Sequence, residues 1–220
     1  MPGGIKGRQK WAIAVPFIAA FSLGLPALAA GGLWWFVGSW TDCVFVLFVA
    51  VMWTGGTLFY RPERRKRPPS LTRVLFSLGL LLVIPVSVYE RTHGPAASRA
   101  VGWSWLGLAL GVTGAAVGIS AWRALGASYV PDPDILPGQK LVTSGMYRYL
   151  RHPMYTAALL WVAGFPLLVR SFWGVAVGLL SIGPTVWLRV REEEALLLEA
   201  FEDEYRAYQA RTWRLFPFVF

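Results

Sequence analysis

Residues 100–122 read AVGWSWLGLALGVTGAAVGISAW, a stretch that contains no Asp, Glu, Lys or Arg. A helix needs roughly 20 predominantly apolar residues to cross the hydrocarbon core of a bilayer, and this stretch meets that length. Five more uncharged stretches surround it, at 11–41, 43–60, 74–89, 152–169 and 171–188. The sequence therefore predicts an all-α fold, a polytopic membrane helix bundle.

The composition of the whole chain supports this class. Of the 220 residues, 55% are hydrophobic and 15% are charged, and the mean hydropathy is +0.49. A soluble domain carries about 25% charged residues, so a soluble enzyme and a disordered chain are excluded. The formal charge of +9 lies in short segments between apolar stretches, which leaves no basic face for nucleic acid. The single cysteine, Cys43, excludes an internal disulfide and a cysteine-based zinc site, and we predict no metal.

The number of spans follows from the lengths of these stretches. Residues 11–41 are too many for one helix, and the pair Gly31-Gly32 divides them. Residues 152–169 and 171–188 are separated only by Arg170, which indicates a tight helical hairpin. We count about six spans, or five if the hairpin does not fully cross. The first 30 residues also have features of a signal peptide, and we prefer an uncleaved first helix.

The basic residues predict the orientation. Of the 21 Lys and Arg residues, all but Arg91, Arg99 and Arg170 fall in the segments that six spans place on the same side as both termini. The positive-inside rule puts that side in the cytoplasm, and an even number of spans, six, agrees with it. We therefore expect an integral protein of a bacterial inner membrane, with both termini cytoplasmic.

Two polar segments interrupt the membrane pattern and carry the candidate chemistry. The first, 123–153, ends in a basic and aromatic cluster; the second, 189–220, opens with Arg189 and holds three consecutive acids at 192–194. Its later apolar residues recur at helical spacing and predict an amphipathic helix that leaves the membrane: Leu196, Leu197, Phe201, Tyr205 and Tyr208. We divide the chain into N-terminal spans, 1–122, and a C-terminal functional region, 123–220.

Spacing alone leaves the roles of these residues open. Arg189 and Glu193 are four residues apart and share a helix face, which an ordinary surface ion pair would also explain. His152 precedes Pro153 and so stands at a helix N-terminus, where spacing alone favours a histidine that merely caps the helix. The chain shows no glycine-rich phosphate loop and no metal-binding spacing.

The two segments together resemble a known family. Residues 141–155 read LVTSGMYRYLRHPMY, and residues 189–197 read RVREEEALL ahead of Phe201, Tyr205 and Tyr208. This combination resembles the signature of the isoprenylcysteine carboxyl methyltransferase family, integral membrane enzymes that use S-adenosylmethionine and have phospholipid methyltransferases as relatives. The resemblance covers residues 123–217. The chain departs from the family's usual Pro, Gly, Gly and Pro at Met146, Ala157, Glu202 and Trp213.

The resemblance implies a cofactor pocket at the cytoplasmic face, closed by the C-terminal helix. The cofactor contacts would be Gln139, Lys140, Leu141, Val142, Tyr147, His152, Pro153, Met154, Tyr155 and Glu193, with Arg189 facing the substrate. Arg189, Glu193 and His152 would be the catalytic residues. The chemistry suits the cofactor, because a carboxylate holds cationic or hydroxyl groups and a tyrosine ring lies well against a sulfonium. A histidine beside a helix N-terminus suits an anionic group.

The expected reaction moves the methyl group of S-adenosylmethionine to a lipophilic acceptor that enters from the membrane lipid. A carboxylate of the isoprenylcysteine type is preferred, since it is already a nucleophile and Arg189 would bind it with paired hydrogen bonds. A lipid phenol or a small thiol would need a base, for which His152 or Glu193 is the candidate. A phospholipid amine is a further alternative. A non-catalytic membrane protein such as a transporter is disfavoured, because the spans hold almost no ionisable residues.

Overall fold

The computed structural model describes residues 39–44, 70–95, 99–126, 135 and 138–218. Four α-helices lie wholly within the described residues: α1, Leu71–His93; α2, Gly102–Leu125; α3, Pro153–Leu168; and α4, Phe172–Gln209. A short 3-10 helix, Gly145–Arg148, precedes α3. Within these ranges no strand occurs, and the one isolated bridge joins Leu150 to Trp213. The all-α class is confirmed.

Three of the four helices are long and apolar enough to cross a membrane: α1, α2 and α4. They confirm an integral membrane protein and the spans predicted at 74–89 and 100–122. With 16 residues, α3 reaches about 24 Å, less than the roughly 30 Å of the hydrocarbon core. The first two predicted spans lie almost entirely outside the described residues, so the count of six stays a prediction.

Helices α2 and α3 pack through glycines that allow their backbones to meet. A Cβ atom on Gly107 of α2 would lie 2.6 Å from the carbonyl oxygen of Gly164 on α3, which is too close for any side chain. Conversely, a Cβ on Gly164 would lie 2.8 Å from the backbone of Gly107 and of Gly111. The small-residue stripe of α2 is therefore a packing surface of the kind that membrane helices use for close contact.

The predicted hairpin is present as α3 and α4, joined by residues 169–171. Arg170 turns the chain with a positive φ of 61°, and Ser171 caps α4 by accepting a hydrogen bond from the Gly174 amide at 2.9 Å. Glu90 of α1 reaches the same helix start, where it accepts hydrogen bonds from the Ser171 hydroxyl at 2.6 Å and the Trp173 amide at 2.8 Å. These bonds join α1 to the hairpin, and α1 packs along α4.

Helix α4 is longer than a membrane span. Residues 172–188 form its apolar, membrane-spanning part, and 189–209 continue beyond it without a break at Arg189. The predicted amphipathic helix is thus the second half of α4 and not a separate element. The backbone departs from helical geometry at Glu202, where φ is 41° and ψ is −115°, so the last turns of α4 change direction there.

The chain after α4 folds back against the start of α3. The amides of Arg151 and His152 donate to the carbonyls of Trp213 at 2.7 Å and Arg214 at 3.1 Å, and the Trp213 amide donates to the Tyr149 carbonyl at 2.9 Å. Beyond them, Leu215 packs against the apolar cluster between α3 and α4. We call residues 210–218 the C-terminal tail; it lies beside the Arg-His-Pro segment.

Candidate functional site

His152 lies at the start of α3 because Pro153, with no amide hydrogen to satisfy, occupies the first helical position. The imidazole is buried and makes no capping hydrogen bond. It faces α4 instead: Nδ1 lies 3.6 Å from Oε2 of Glu193, and Nε2 lies 3.3 Å from Oε1 of Glu194. His152 therefore sits between two carboxylates.

Glu194 is the centre of this charged cluster. Its carboxylate accepts hydrogen bonds from Nε of Arg151 at 3.0 Å and from Nη2 of Arg214 at 2.8 Å, in addition to its contact with His152. Burial alone would raise the pKa of Glu194, but the hydrogen bonds from His152, Arg214 and Arg151 outweigh it and lower that pKa to about 2. Glu194 is thus a buried carboxylate that stays ionised.

The protonation of His152 follows from the same contacts. Burial alone would lower the pKa of the imidazole, since it disfavours the charged form. The hydrogen bonds and negative charges of Glu193 and Glu194 outweigh burial and raise the pKa above its ordinary value. The cluster therefore favours the imidazolium.

Arg189 is the first charged residue after the apolar half of α4, and it is buried. Its Nε donates to the hydroxyl of Tyr155 on α3 at 3.2 Å, and the guanidinium carbon lies 6.0 Å from the centre of the Tyr155 ring. The rings of Tyr155 and His152 are 5.9 Å apart. Tyr155 thus lies between Arg189 and the pair formed by His152 and Glu193.

The other sequence-predicted residues flank this group along the chain. Tyr147 is buried on the 3-10 helix, and its carbonyl accepts a hydrogen bond from the Tyr208 hydroxyl at 2.7 Å. Pro153 is buried and Met154 half-buried in the first turn of α3. The remaining four lie in the non-helical segment that leads to the 3-10 helix: Gln139, Lys140, Leu141 and Val142.

Sequence reasoning missed Arg151, Glu194, Tyr205 and Arg214. The register of α4 contained a signal for Glu194, which stands four residues after Val190 and three before Leu197, on the apolar face. An acid on that face is expected to be buried and paired. Tyr205 is also buried, and its hydroxyl has no hydrogen-bond partner among the described residues. No local pattern predicts Arg214, because the tail reaches the site by folding back.

Apolar helices and a buried charged cluster beyond a membrane span define a class of protein, an integral membrane helix bundle with a polar site at one end. One solved structure shares this fold over 90% of the present chain and 74% of its own, with a TM-score of 0.66 and 20% identity. That structure is of a eukaryotic intramembrane Ras methyltransferase, an isoprenylcysteine carboxyl methyltransferase. At this identity the likeness establishes the fold.

Sequence comparisons find similar proteins with named activities. Residues 103–204 match the family model for phospholipid methyltransferases. This match begins 20 residues before the resemblance found at 123–217. The chain is 32% identical over 79 residues to a protein-S-isoprenylcysteine O-methyltransferase of Schizosaccharomyces pombe, and 37% identical over 84 residues to the human one. Each alignment covers 36% of this chain and, respectively, 34% and 28% of the relative. The chain is similar to isoprenylcysteine carboxyl methyltransferases, and its alignments span about a third of these relatives' length.

Proposed function

We propose that this protein is an integral membrane methyltransferase that transfers the methyl group of S-adenosylmethionine to a lipophilic acceptor, a carboxylate of the isoprenylcysteine type. One observation carries the proposal: a buried arginine, Arg189, follows the membrane-spanning half of α4 and lies one helical turn before Glu193. An acceptor with its tail in lipid and an anionic head at the boundary would meet Arg189 first. The names of the curated relatives support the same reaction.

The residues around His152 fit the chemistry of the proposed cofactor. Glu193 offers a half-buried carboxylate to a cationic or hydroxyl group, and Tyr155 offers an aromatic ring. The buried hydroxyl of Tyr205, which no described residue satisfies, is a further polar contact. S-adenosylmethionine, when bound, would supply an electrophilic methyl group on its sulfonium. The proposed holders are Gln139, Lys140, Leu141, Val142, Tyr147, His152, Pro153, Met154, Tyr155 and Glu193.

The protein's own part in the reaction would be to bind and orient. Arg189 would hold the acceptor carboxylate with parallel N–H groups, and Tyr155, which accepts from Arg189 Nε, would fix the guanidinium plane. No proton has to move, because a carboxylate is already a nucleophile. The rate would come from alignment of the two reactants and from the exclusion of water at a buried site.

A phospholipid amine is the second candidate acceptor, since the matched family model is that of phospholipid methyltransferases. An ammonium group must lose a proton before it can accept a methyl group. It would also be repelled by the buried guanidinium of Arg189. The position of Arg189 therefore favours the carboxylate.

The test uses purified protein in detergent with labelled S-adenosylmethionine and a panel of prenylcysteine, alkyl-phenol, thiol and phospholipid acceptors. Turnover is expected with the prenylcysteine carboxylate, and its loss is expected in both Arg189→Ala and Arg189→Lys while calorimetry still detects cofactor binding. Lysine keeps the charge but lacks the planar fork. Full turnover in Arg189→Ala, or methylation of the phospholipid amine alone, would refute the carboxylate assignment.

A further inference from the structure

Both ring nitrogens of His152 lie near carboxylate oxygens, an arrangement that suits an imidazolium better than a neutral imidazole. A neutral histidine has one N–H donor and one lone-pair acceptor, whereas an imidazolium has two donors. Here both ring nitrogens face carboxylate oxygens, Nδ1 toward Glu193 and Nε2 toward Glu194. Carboxylates are acceptors only, so a lone pair on either nitrogen would point at another lone pair. The geometry therefore favours hydrogens on both nitrogens.

The three side chains differ in their exposure to solvent. The side chains of Glu194, His152 and Glu193 are 8%, 1% and 37% exposed, respectively. Glu193 is thus the most accessible of the three side chains, whereas His152 and Glu194 are mostly enclosed by protein.

We propose that Glu194, His152 and Glu193 form one charge-paired chain in which His152 is a positioning residue, protonated at neutral pH and not a base, that holds the Glu193 carboxylate toward the ligand. The identity of that ligand, S-adenosylmethionine, rests on the proposed function. Glu193 is then the residue that touches the cofactor, and Glu194 acts through His152. The same logic orders metal sites, where an outer carboxylate orients a histidine.

The groups around these three side chains keep Glu194 and His152 charged. Arg151, from the segment before α3, donates to Glu194, and so does Arg214 from the C-terminal tail. Arg189 lies on the far side of Tyr155 and donates to its hydroxyl. Two cations from separate segments thus fix Glu194 as an anion, and the two anions of α4 fix His152 as a cation.

The protonation of His152 can be measured directly, because the protein has only two histidines, His93 and His152. Protein labelled with 15N-histidine in detergent is observed by NMR at roughly pH 7.5, about one unit above the ordinary pKa of histidine. His93 is the last residue of α1 and lies outside the site. The substitution His93→Gln therefore assigns the two sets of signals. Two protonated nitrogens on His152 are expected. One protonated and one unprotonated nitrogen would overturn the proposal.

Cofactor binding tests the positioning role. Glu194→Gln is expected to weaken S-adenosylmethionine binding by about 10- to 100-fold, as loss of an orienting carboxylate does at metal sites. His152→Asn keeps a donor near the Nδ1 position and is expected to retain more affinity than His152→Gln, whose donor faces Glu194. Glu192→Gln is the matched control, since Glu192 is exposed on the same helix and should bind normally.

The two measurements separate the two claims. Wild-type protein that binds no S-adenosylmethionine would refute the proposed function and the ligand assigned to Glu193, whereas the NMR result does not depend on the cofactor. A neutral His152, or equal affinity for S-adenosylmethionine in Glu194→Gln and the wild type, would refute the proposed positioning role of His152. This holds even if the protein methylates its acceptor.

Discussion

Adjacent residues on α4 have opposite environments, and this decides their roles. Glu192 is exposed, Glu193 is half-buried beside His152, and Glu194 is buried among cations. A helix turns 100° per residue, so three consecutive acids face three different directions. Only the buried one can bind Arg151 and Arg214 at once.

Removal of the Glu194 carboxylate should destabilise the protein strongly. Glu194→Ala leaves three cationic groups, on Arg151, His152 and Arg214, without their shared anion. Breaking a buried ion pair in this way typically costs about 3–5 kcal/mol. Unfolding in detergent, followed by circular dichroism, measures the change. Glu192→Ala, the exposed control, should change stability by less than about 0.5 kcal/mol; equal losses in the two variants would contradict the assignment.

The stability should depend on pH through His152. Its pKa is raised in the folded state by Glu193 and Glu194, so folding binds the proton more tightly than the unfolded chain does. That stabilisation is fully present below the unfolded pKa, about 6.5, and is lost as pH rises through the folded pKa. Melting temperatures measured from pH 6 upward should fall in the wild type. The fall should be smaller in His152→Gln, and an identical pH profile in that variant would exclude His152 as the cause.

At the scale of the element, α4 combines three functions in one helix. Its first half spans the membrane, its middle carries Arg189 and the three acids, and its last turns hold Tyr208 against the 3-10 helix. The change of direction at Glu202 separates the last two parts. The family resemblance expects glycine at this position, and a φ of 41° is the reason, because L-residues with side chains rarely adopt it.

Replacement of Glu202 by glycine should therefore stabilise the protein. A residue held in a sparsely populated backbone region costs on the order of 1–3 kcal/mol, which glycine relieves in part. Glu202→Gly is expected to raise the unfolding free energy by about 1 kcal/mol. Glu204→Gly is the control: Glu204 is exposed in regular helix, so glycine should cost about 1 kcal/mol there. Destabilisation by both substitutions would show that residue 202 is unstrained in the folded protein.

At the scale of the whole molecule, the two ends of the bundle differ in their basic residues. At the end away from His152, Arg99 contacts Glu90 at 2.7 Å and Arg91 lies 3.6 Å from Asp42. These arginines, which six spans place outside the cell, are therefore balanced locally. In the six-span prediction, all basic residues except Arg91, Arg99 and Arg170 fall on the side that holds the candidate site.

This distribution predicts the orientation of the chain. Single cysteines are introduced at residues 36, 65, 95 and 218 in a Cys43→Ser background, and intact cells are treated with an impermeant thiol reagent. Residues 36 and 95 should be labelled, and residues 65 and 218 should be protected until the membrane is opened. Labelling of residue 218 in intact cells would refute six spans with cytoplasmic termini.

The sequence predicts those features that depend on residues close together along the chain. The apolar stretch 100–122 predicts α2, Arg170 between two apolar stretches predicts the hairpin, and Pro153 predicts the start of α3, because span length and proline chemistry are local properties. The pairing of His152 with α4 followed from the family resemblance and not from spacing.

The identity of the buried acid, the strain at Glu202 and the return of the tail required the folded molecule. Glu194 is ionised and enclosed because Arg151, 43 residues before it, and Arg214, 20 residues after it, converge on one carboxylate. The tail reaches His152 through backbone hydrogen bonds, which do not depend on the side chains that a motif records. Burial and charge pairing at this site arise from contacts distant along the chain, and such contacts form only when α3, α4 and the tail pack together.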